Sequence, residues 1–207
     1  MKALLISSLL ISSTSFAQAL DVPALKKLMT QKKAVIEKIN PGMSKKLSTT
    51  TRIPTELGPC ELTEELVQTV LKIEGEKIIV HSKEKYTPAA TPACAGFESS
   101  EVGVVFFDDV PSLDKELEDL DASAKDITSI SRAGDVVTMK IATSTLVYDF
   151  NKPAFKNLIS IKDTAFSTTS TDISDIDVNS INLQKVLFCE SVDSQNCIEG
   201  DFSDILF

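Results

Sequence analysis

The side chains that could carry out chemistry are few, and the histidine is the most restrictive of them. His81 is the only histidine among 207 residues, which excludes a zinc site built on several imidazoles and leaves one candidate partner for a catalytic serine. Because His81 directly follows the apolar run Ile78-Ile79-Val80, we interpret it as an ordinary strand residue. The chain has no nucleophile elbow, zinc-protease helix, P-loop or dinucleotide fingerprint.

Adjacent acidic residues offer the only other catalytic pattern. They are Asp108-Asp109, Glu64-Glu65 and Glu118-Asp119. A glycosidase needs two carboxyl groups that face each other across a substrate cleft, and adjacency in the sequence does not provide this. The chain also has no tryptophan and only two tyrosines for stacking on a sugar. The sequence therefore favours a non-enzymatic protein over a hydrolase with an acid-based site.

One segment comes near to a calcium-binding loop, and the sequence otherwise predicts no cofactor. Asp175, Asp177 and Asn179 match the first three oxygen ligands of an EF-hand. The sixth position is Ser180 instead of glycine, and the twelfth is Val186 instead of glutamate. These departures exclude an EF-hand and leave a weak, nonstandard calcium site as a hypothesis.

The N-terminal segment has the pattern of a secretory signal peptide. Lys2 gives a positive charge, Ala3 to Ile11 is almost wholly apolar, and Ala17-Gln18-Ala19 fits a small-residue cleavage site. We expect residues 1–19 to be removed near Ala19, in a bacterial protein that is periplasmic or secreted. Residues 20–207 have the length of a single domain, and no later apolar run reaches transmembrane length.

The four cysteines predict two disulfides, because an even number of cysteines in an exported chain indicates such bonds. Cys189 follows a strand-like run, and turn-like residues 193–196 separate it from Cys197, so a bridge between these two would close a hairpin. Cys60 and Cys94 then pair by exclusion. No C-x-x-C motif is present, which disfavours thiol exchange and a zinc ribbon.

Charge is distributed unevenly along the chain. Residues 20–52 contain eight basic and two acidic residues, whereas residues 53–207 contain twelve basic and twenty-eight acidic ones. The excess of acid argues against nucleic-acid binding. The basic residues are concentrated in residues 20–52, where five of them form one side of a predicted helix.

An amphipathic helix is predicted over residues 21–39, where apolar residues recur at helical spacing. Asp21 and Pro23 suit its start, and Asn40-Pro41-Gly42 its end. Its other face carries five lysines: Lys26, Lys27, Lys32, Lys33 and Lys38. We favour a helix that packs on a sheet and leaves these lysines in solvent, with contact to an anionic surface as the alternative.

Most of the remaining chain is predicted to be strand, because it is rich in β-branched and aromatic residues. The runs are 48–53 (ended by Pro54), 62–74, 78–80, 102–107, 134–142, 144–150 and 155–161, and the last three have the short links of a meander. Residues 62–74 also fit a helix, but a β-rich run follows directly, so we choose a strand. Leucines at helical spacing predict a second helix near 112–127 with an acidic face. Residues 164–174, rich in serine and threonine, are predicted to be an exposed loop or a solvated edge.

These features predict an α+β fold in which a curving antiparallel meander carries the N-terminal helix and the helix near 112–127. The leading hypothesis for function is an exported binding protein that holds a hydrophobic small molecule or lipid between sheet and helices. The alternative is a secreted protein-binding module, such as an inhibitor or adhesin, that recognises another envelope or secreted protein through a sheet edge or the loops at 87–96 and 164–175.

The signal peptide leads to the first prediction. N-terminal sequencing of the exported protein is expected to give a chain that begins at Leu20 or within a few residues of it, because the small residues of the cleavage site end at Ala19. An exported chain that still begins with Met1 would contradict the prediction.

Overall fold

A single large sheet dominates the computed structural model, which describes residues 17–162, 167–172, 175–176, 181, 186–190 and 196–200. In these residues the sheet has twelve strands, in the order β1-β6-β7-β8-β9-β10-β2-β3-β4-β5-β11-β12. The strands are β1 Gln18–Leu20, β2 Ser44–Thr55, β3 Gly58–Glu74, β4 Lys77–Pro88, β5 Ser100–Asp109, β6 Ile127–Ala133, β7 Val136–Ile141, β8 Ser144–Asp149, β9 Leu158–Lys162, β10 Ser167–Asp172, β11 Val186–Cys189 and β12 Cys197–Gly200. Neighbouring strands are antiparallel, except that β11 runs parallel to β5.

The helices are shorter than the sequence predicts. They are α1 Val22–Gln31, α2 Lys33–Ile36 and α3 Leu113–Ser123. The prediction of one continuous helix over 21–39 is wrong, because the backbone leaves the helical conformation at Lys32, whose side chain reaches across to Asp135. The predicted helix near 112–127 ends early, in a 3-10 turn at Ala124–Asp126, since Ile127 already pairs with Ile141 in the sheet.

The largest correction concerns residues 164–174. Within this segment β10 is neither a loop nor an edge, because it pairs with β9 on one side and with β2 on the other. Residues 163–166 and 173–174 lie outside the described part of the chain. The low apolar content of the segment suggested exposure, but β-branched threonine suits a strand, and both neighbours supply a ladder of backbone hydrogen bonds. β10 thereby joins the meander β6–β9 to the long strands β2–β5.

The strand prediction for residues 62–74 is confirmed, because they belong to β3. The long hairpin with β4 turns at Gly75, whose φ of 63° lies in the left-handed region that glycine adopts without strain. Two boundaries differ from expectation. β2 continues through Pro54, which lies opposite Pro59, and the strand predicted over 155–161 begins instead with a 3-10 turn at Ala154–Lys156 before β9.

The two faces of the long strands differ in polarity. Alternation along β2 and β4 places Lys45 and Val80 on the face that the helices cover, here called the helix face, together with Phe106 of β5. The opposite face carries cross-strand ion pairs: Lys46 with Glu65, Arg52 with Glu61, and Lys83 with Glu101. The outer face is not polar throughout, because Ile79, Val105 and Val186 form a separate buried apolar cluster on it near β11.

Two disulfides are present, with the pairing that the sequence predicts. Cys60 at the start of β3 is bonded to Cys94 in the connection between β4 and β5. Cys189 and Cys197 lie directly opposite each other on β11 and β12. Two disulfides indicate an oxidising, extracytoplasmic compartment. No helix in the described ranges is long and apolar enough to cross a membrane.

The first strand bears on the predicted cleavage site. Gln18, Ala19 and Leu20 form β1 and pair with Arg132, Ser131 and Ile130 of β6. A mature chain that begins at Leu20 would lose two of these three residues, whereas one that begins at Gln18 would keep the strand.

The two disulfides close loops of different length, which leads to a stability prediction. The Cys60→Ser/Cys94→Ser variant opens a loop of 34 residues and is expected to lose about 3–4 kcal/mol of unfolding free energy on the loop-entropy model. The Cys189→Ser/Cys197→Ser variant opens a loop of 8 residues and is expected to lose about 2–3 kcal/mol. Urea unfolding of both variants beside the wild type measures the difference; a larger loss for the short loop would contradict this account.

Candidate functional site

The N-terminal helix is positioned by one apolar stripe. The side chain of Asp21 caps it by accepting a hydrogen bond of 2.7 Å from the Ala24 amide. Leu25, Leu28 and Met29 are buried on one side. Since these residues recur at a spacing of three to four, the helix turns a continuous apolar surface toward α3 and the sheet.

The acidic helix α3 is positioned in the same way. Ser112 caps it, with 3.3 Å between its hydroxyl oxygen and the Lys115 amide nitrogen. Leu113 and Leu120 are buried and join the core cluster of α1 and of strands β6–β8. The charged side chains of α3 therefore project around its remaining circumference, and those next to its apolar stripe face the space between the two helices and the sheet.

A cavity of about 120 Å³ lies between α1, α3 and strands β7 and β8. Its apolar lining consists of Leu25, Met29, Leu120, Val137, Met139, Ile141 and Phe150. The rings of Phe150 and Tyr148 stack with their centroids 6.2 Å apart. Apolar cavities of about 150 Å³ bind a molecule the size of benzene, so this one has room for part of an apolar ligand.

Four polar side chains also line the cavity: Glu116, Asp119, Ser123 and Tyr148. Burial raises the pKa of the Glu116 carboxyl, and the nearby Asp119 raises it further, whereas Lys45 acts in the opposite direction. Burial, with the Glu116 charge second, raises the pKa of Tyr148 to about 12. Tyr148 is therefore a neutral hydroxyl at physiological pH.

Lys45 of β2 is linked to this group of residues through Glu116. Burial lowers the pKa of the Lys45 ammonium, and the charges of Asp108 and Glu116 partly restore it. Its Nζ lies 4.8 Å from the centroid of the Phe155 ring, a cation–π contact. The ammonium thus sits on the helix face of the sheet, within the electrostatic range of a cavity-lining carboxyl.

Ion pairs fasten α1 over the cavity. Lys26 of α1 pairs with Asp121 of α3, so the basic and acidic helices contact each other. At the other end of α1, Lys32 Nζ lies 2.8 Å from Asp135 Oδ2, and Arg132 approaches the second oxygen of that carboxylate at 3.3 Å. The helix is therefore tied both to its partner helix and to the turn between β6 and β7.

The predicted lysine surface is only partly free. Lys26, Lys32 and Lys33 each form an ion pair, the last with Glu37 one turn away. Lys27 and Lys38 are exposed. The anionic-surface contact proposed for the five lysines stays a prediction, with fewer free charges than the sequence suggested.

The other candidate residues do not gather at the cavity. Asp175 is exposed and lies 2.8 Å from Lys156 Nζ, whereas Asp177 and Asn179 fall outside the described residues. Across the described ranges, no group of three or more histidine, cysteine or acidic residues is arranged to hold a metal ion. His81 is buried on the face opposite the helices, where burial lowers its pKa.

Sequence reasoning missed Lys45, Glu116 and Tyr148. Glu116 is one of several acids in α3, and nothing in its spacing singles it out. Lys45 and Lys46 precede the strand predicted over 48–53, so alternation was not applied to them; in the structure both lie in β2, where alternation directs one of the two inward. Which of the two does so depends on the register of β2.

No protein-family model matches the chain, and neither the comparison with curated proteins nor the comparison with solved structures found a similar protein.

The Asp135 network gives a prediction for the pH dependence of stability. Lys32, through its hydrogen bond and its charge, holds the pKa of Asp135 below its usual value. The pKa of an aspartate carboxyl in the unfolded chain is about 3.9. A carboxyl whose pKa is lower than this in the folded protein stabilises the fold at higher pH values, and this stabilisation is lost as the pH falls through the folded-state pKa. Asp135→Asn is therefore expected to lose up to about 1 kcal/mol at pH 7 and to approach the wild type near pH 2.

Urea unfolding at both pH values tests this expectation. Glu98→Gln, at an exposed position outside the network, serves as the control and is expected to leave stability unchanged. An equal deficit of Asp135→Asn at pH 7 and pH 2 would show that its cause is not the charge.

Proposed function

We propose that this protein is an exported, non-enzymatic carrier that binds a hydrophobic small molecule or the chain of a lipid between its helices and its sheet. The observation that carries the proposal is the cavity of about 120 Å³ with its apolar lining from two helices and two strands. Ligand sites are mostly apolar pockets with a few placed polar groups, and this cavity has that composition.

The size of the cavity limits the ligand. Sites for drug-sized molecules measure roughly 300–1,000 Å³, so the cavity of about 120 Å³ accommodates one slender apolar chain or its end, not a bulky ring system. α1 and α3 form its roof and are attached to each other by the Lys26–Asp121 pair. Exposed ion pairs contribute at most about 1 kcal/mol, so the burial of Leu25, Leu28 and Leu120 holds the roof in place more than the ion pair does.

The acids at the cavity suit binding better than hydrolysis. Glu116 and Asp119 both line it, and a raised pKa is a known mark of catalytic acids. They lie three residues apart on α3, however, and so project from the same wall. Hydrolysis of a glycoside needs carboxyl groups on opposite sides of the substrate, and the opposite wall here is apolar apart from Tyr148.

A second candidate is the protein-binding module, which one observation favours. Leu57, at the tip of the β2–β3 hairpin, is 70% exposed, and Phe97 is 37% exposed. The Cys60–Cys94 disulfide holds these two segments together. Both connections lie at the same end of the long strands, where a partner protein could dock on these exposed apolar side chains.

Export to the periplasm or the medium, after removal of residues 1–19, belongs to the same proposal. It is supported by the two disulfides and by the signal-like N-terminal sequence.

Binding of 1-octanol, a neutral single-chain probe, tests the carrier function. Isothermal titration calorimetry of the disulfide-intact wild type is expected to show saturable binding with a negative heat-capacity change, because apolar surface is buried. Ser123→Phe places a large side chain in the cavity and is expected to weaken the affinity about tenfold or more, since each excluded methylene forfeits about 0.8 kcal/mol.

The matched control is Ala122→Phe, which adds the same ring at the neighbouring, exposed position of α3. It is expected to bind octanol like the wild type, and thermal unfolding of both variants checks that the fold is retained. If Ser123→Phe binds octanol as tightly as the wild type, the ligand does not occupy this cavity. If the wild type does not bind octanol, the carrier function is contradicted and the protein-binding module becomes the favoured function.

A further inference from the structure

The polar part of the cavity lining comes mainly from one side of α3. Glu116, Asp119 and Ser123 follow each other at intervals of three and four residues, which places them on the same side of a helix. All three line the cavity, and Tyr148 of β8 adds a hydroxyl from the sheet. The described lining thus contains two carboxyl groups and two hydroxyls but no basic side chain.

The carboxyl groups lie at the rim of the cavity, and its floor is apolar. The Asp119 side chain is 68% exposed, and Glu116 is half-buried. By contrast, Val137 and Phe150, which line the same cavity from the sheet, are buried. A molecule whose apolar chain reaches the floor therefore leaves its head group beside the two carboxyl groups.

Cationic side chains compensate these carboxyl groups only weakly. Among the described residues, none forms a hydrogen bond or an ion pair with the Glu116 carboxyl. Asp119 Oδ1 lies 4.0 Å from Lys115 Nζ, which is a long ion pair between exposed side chains. Lys26 of α1 reaches α3 but pairs with Asp121. The rim of the cavity therefore keeps a negative charge.

We propose that the cavity selects single-chain amphiphiles with a primary ammonium head group. The alkyl chain occupies the apolar floor, and the ammonium donates hydrogen bonds to the Glu116 and Asp119 carboxylates at the rim. This inference rests on the proposed carrier function and adds the class of ligand to it.

The lining determines the charge of the head group. An ammonium has three hydrogen-bond donors and no acceptor, and the two carboxylates and the Tyr148 hydroxyl can all accept from it. Hydrogen bonds between an ammonium and a carboxylate are roughly twice as strong as those between neutral groups. A carboxylate head group would instead lie beside two charges of its own sign.

A cation would also relieve the repulsion between the two acids. Burial raises the pKa of Glu116, and the nearby Asp119 raises it further, although Lys45 acts in the opposite direction. An opposite charge close to a carboxyl favours its ionised form. A bound ammonium would therefore favour the ionised carboxylate that it contacts.

The test compares octylammonium, 1-octanol and octanoate at pH 7.5, because the three differ in the charge of the head group. By calorimetry the disulfide-intact wild type is expected to bind octylammonium about tenfold more tightly than octanol, the gain expected for a hydrogen bond to a charged group. Octanoate is expected to bind more weakly than octanol. Glu116→Gln keeps the size of the side chain and removes its charge. It is expected to lose most of the preference for octylammonium while its affinity for octanol is unchanged.

Glu118→Gln is the matched control, because it makes the same change at an exposed position of α3 that does not line the cavity. It removes the same charge from the protein and is expected to retain the preference for octylammonium. Asp119→Asn provides a second test if Glu116→Gln does not fold, and it is expected to reduce the preference severalfold.

The outcomes separate the two proposals. If the wild type binds octanol but does not prefer octylammonium, or prefers octanoate, the head-group inference is overturned and the carrier function stands. The inference is also overturned if the variant at the rim retains the preference, or if Glu118→Gln loses it to the same extent, since the overall charge would then explain the effect. If the wild type does not bind octanol, the carrier function fails and the inference fails with it.

Discussion

The fold depends on the two ladders of backbone hydrogen bonds that flank β10. This strand pairs with β9 on one side and along all of its six residues with β2 on the other. Without it, the meander and the long strands would be two sheets, each with an open edge. Because β10 joins them, Lys45 on β2 and Tyr148 on β8 belong to one continuous helix face. The cavity and the unpaired ammonium share a surface for this reason.

The two helices cover that face of the sheet, and in doing so they bury both apolar and polar side chains. The stripes of α1 and α3 bury leucines against β6–β8, and this area is the main source of stability for the layer. The same closure partly buries Glu116 and Lys45, and this burial shifts both pKa values toward the neutral forms.

Local sequence patterns predicted the parts of the fold that depend on interactions between residues close together in the chain. The alternating run at 62–74 is a strand, and the four cysteines pair as their spacing and flanking residues indicate. The position of β10 was not predictable, because it depends on pairing with β2 and β9, which are distant in the sequence. Of the candidate site, the sequence predicted a hydrophobic cavity between sheet and helices but none of its four polar lining residues.

The sequence alone determined the two disulfide pairs, the opposite charges of the two main helices and the period of each apolar stripe, because these follow from the order of residues over one or two turns or strands. Only the tertiary structure decided the order of strands, the inward direction of Lys45 rather than Lys46, and the convergence of Glu116, Asp119 and Tyr148 on one cavity. These depend on register and on pairing between segments far apart in the chain, where a shift of one residue exchanges the two faces of a strand.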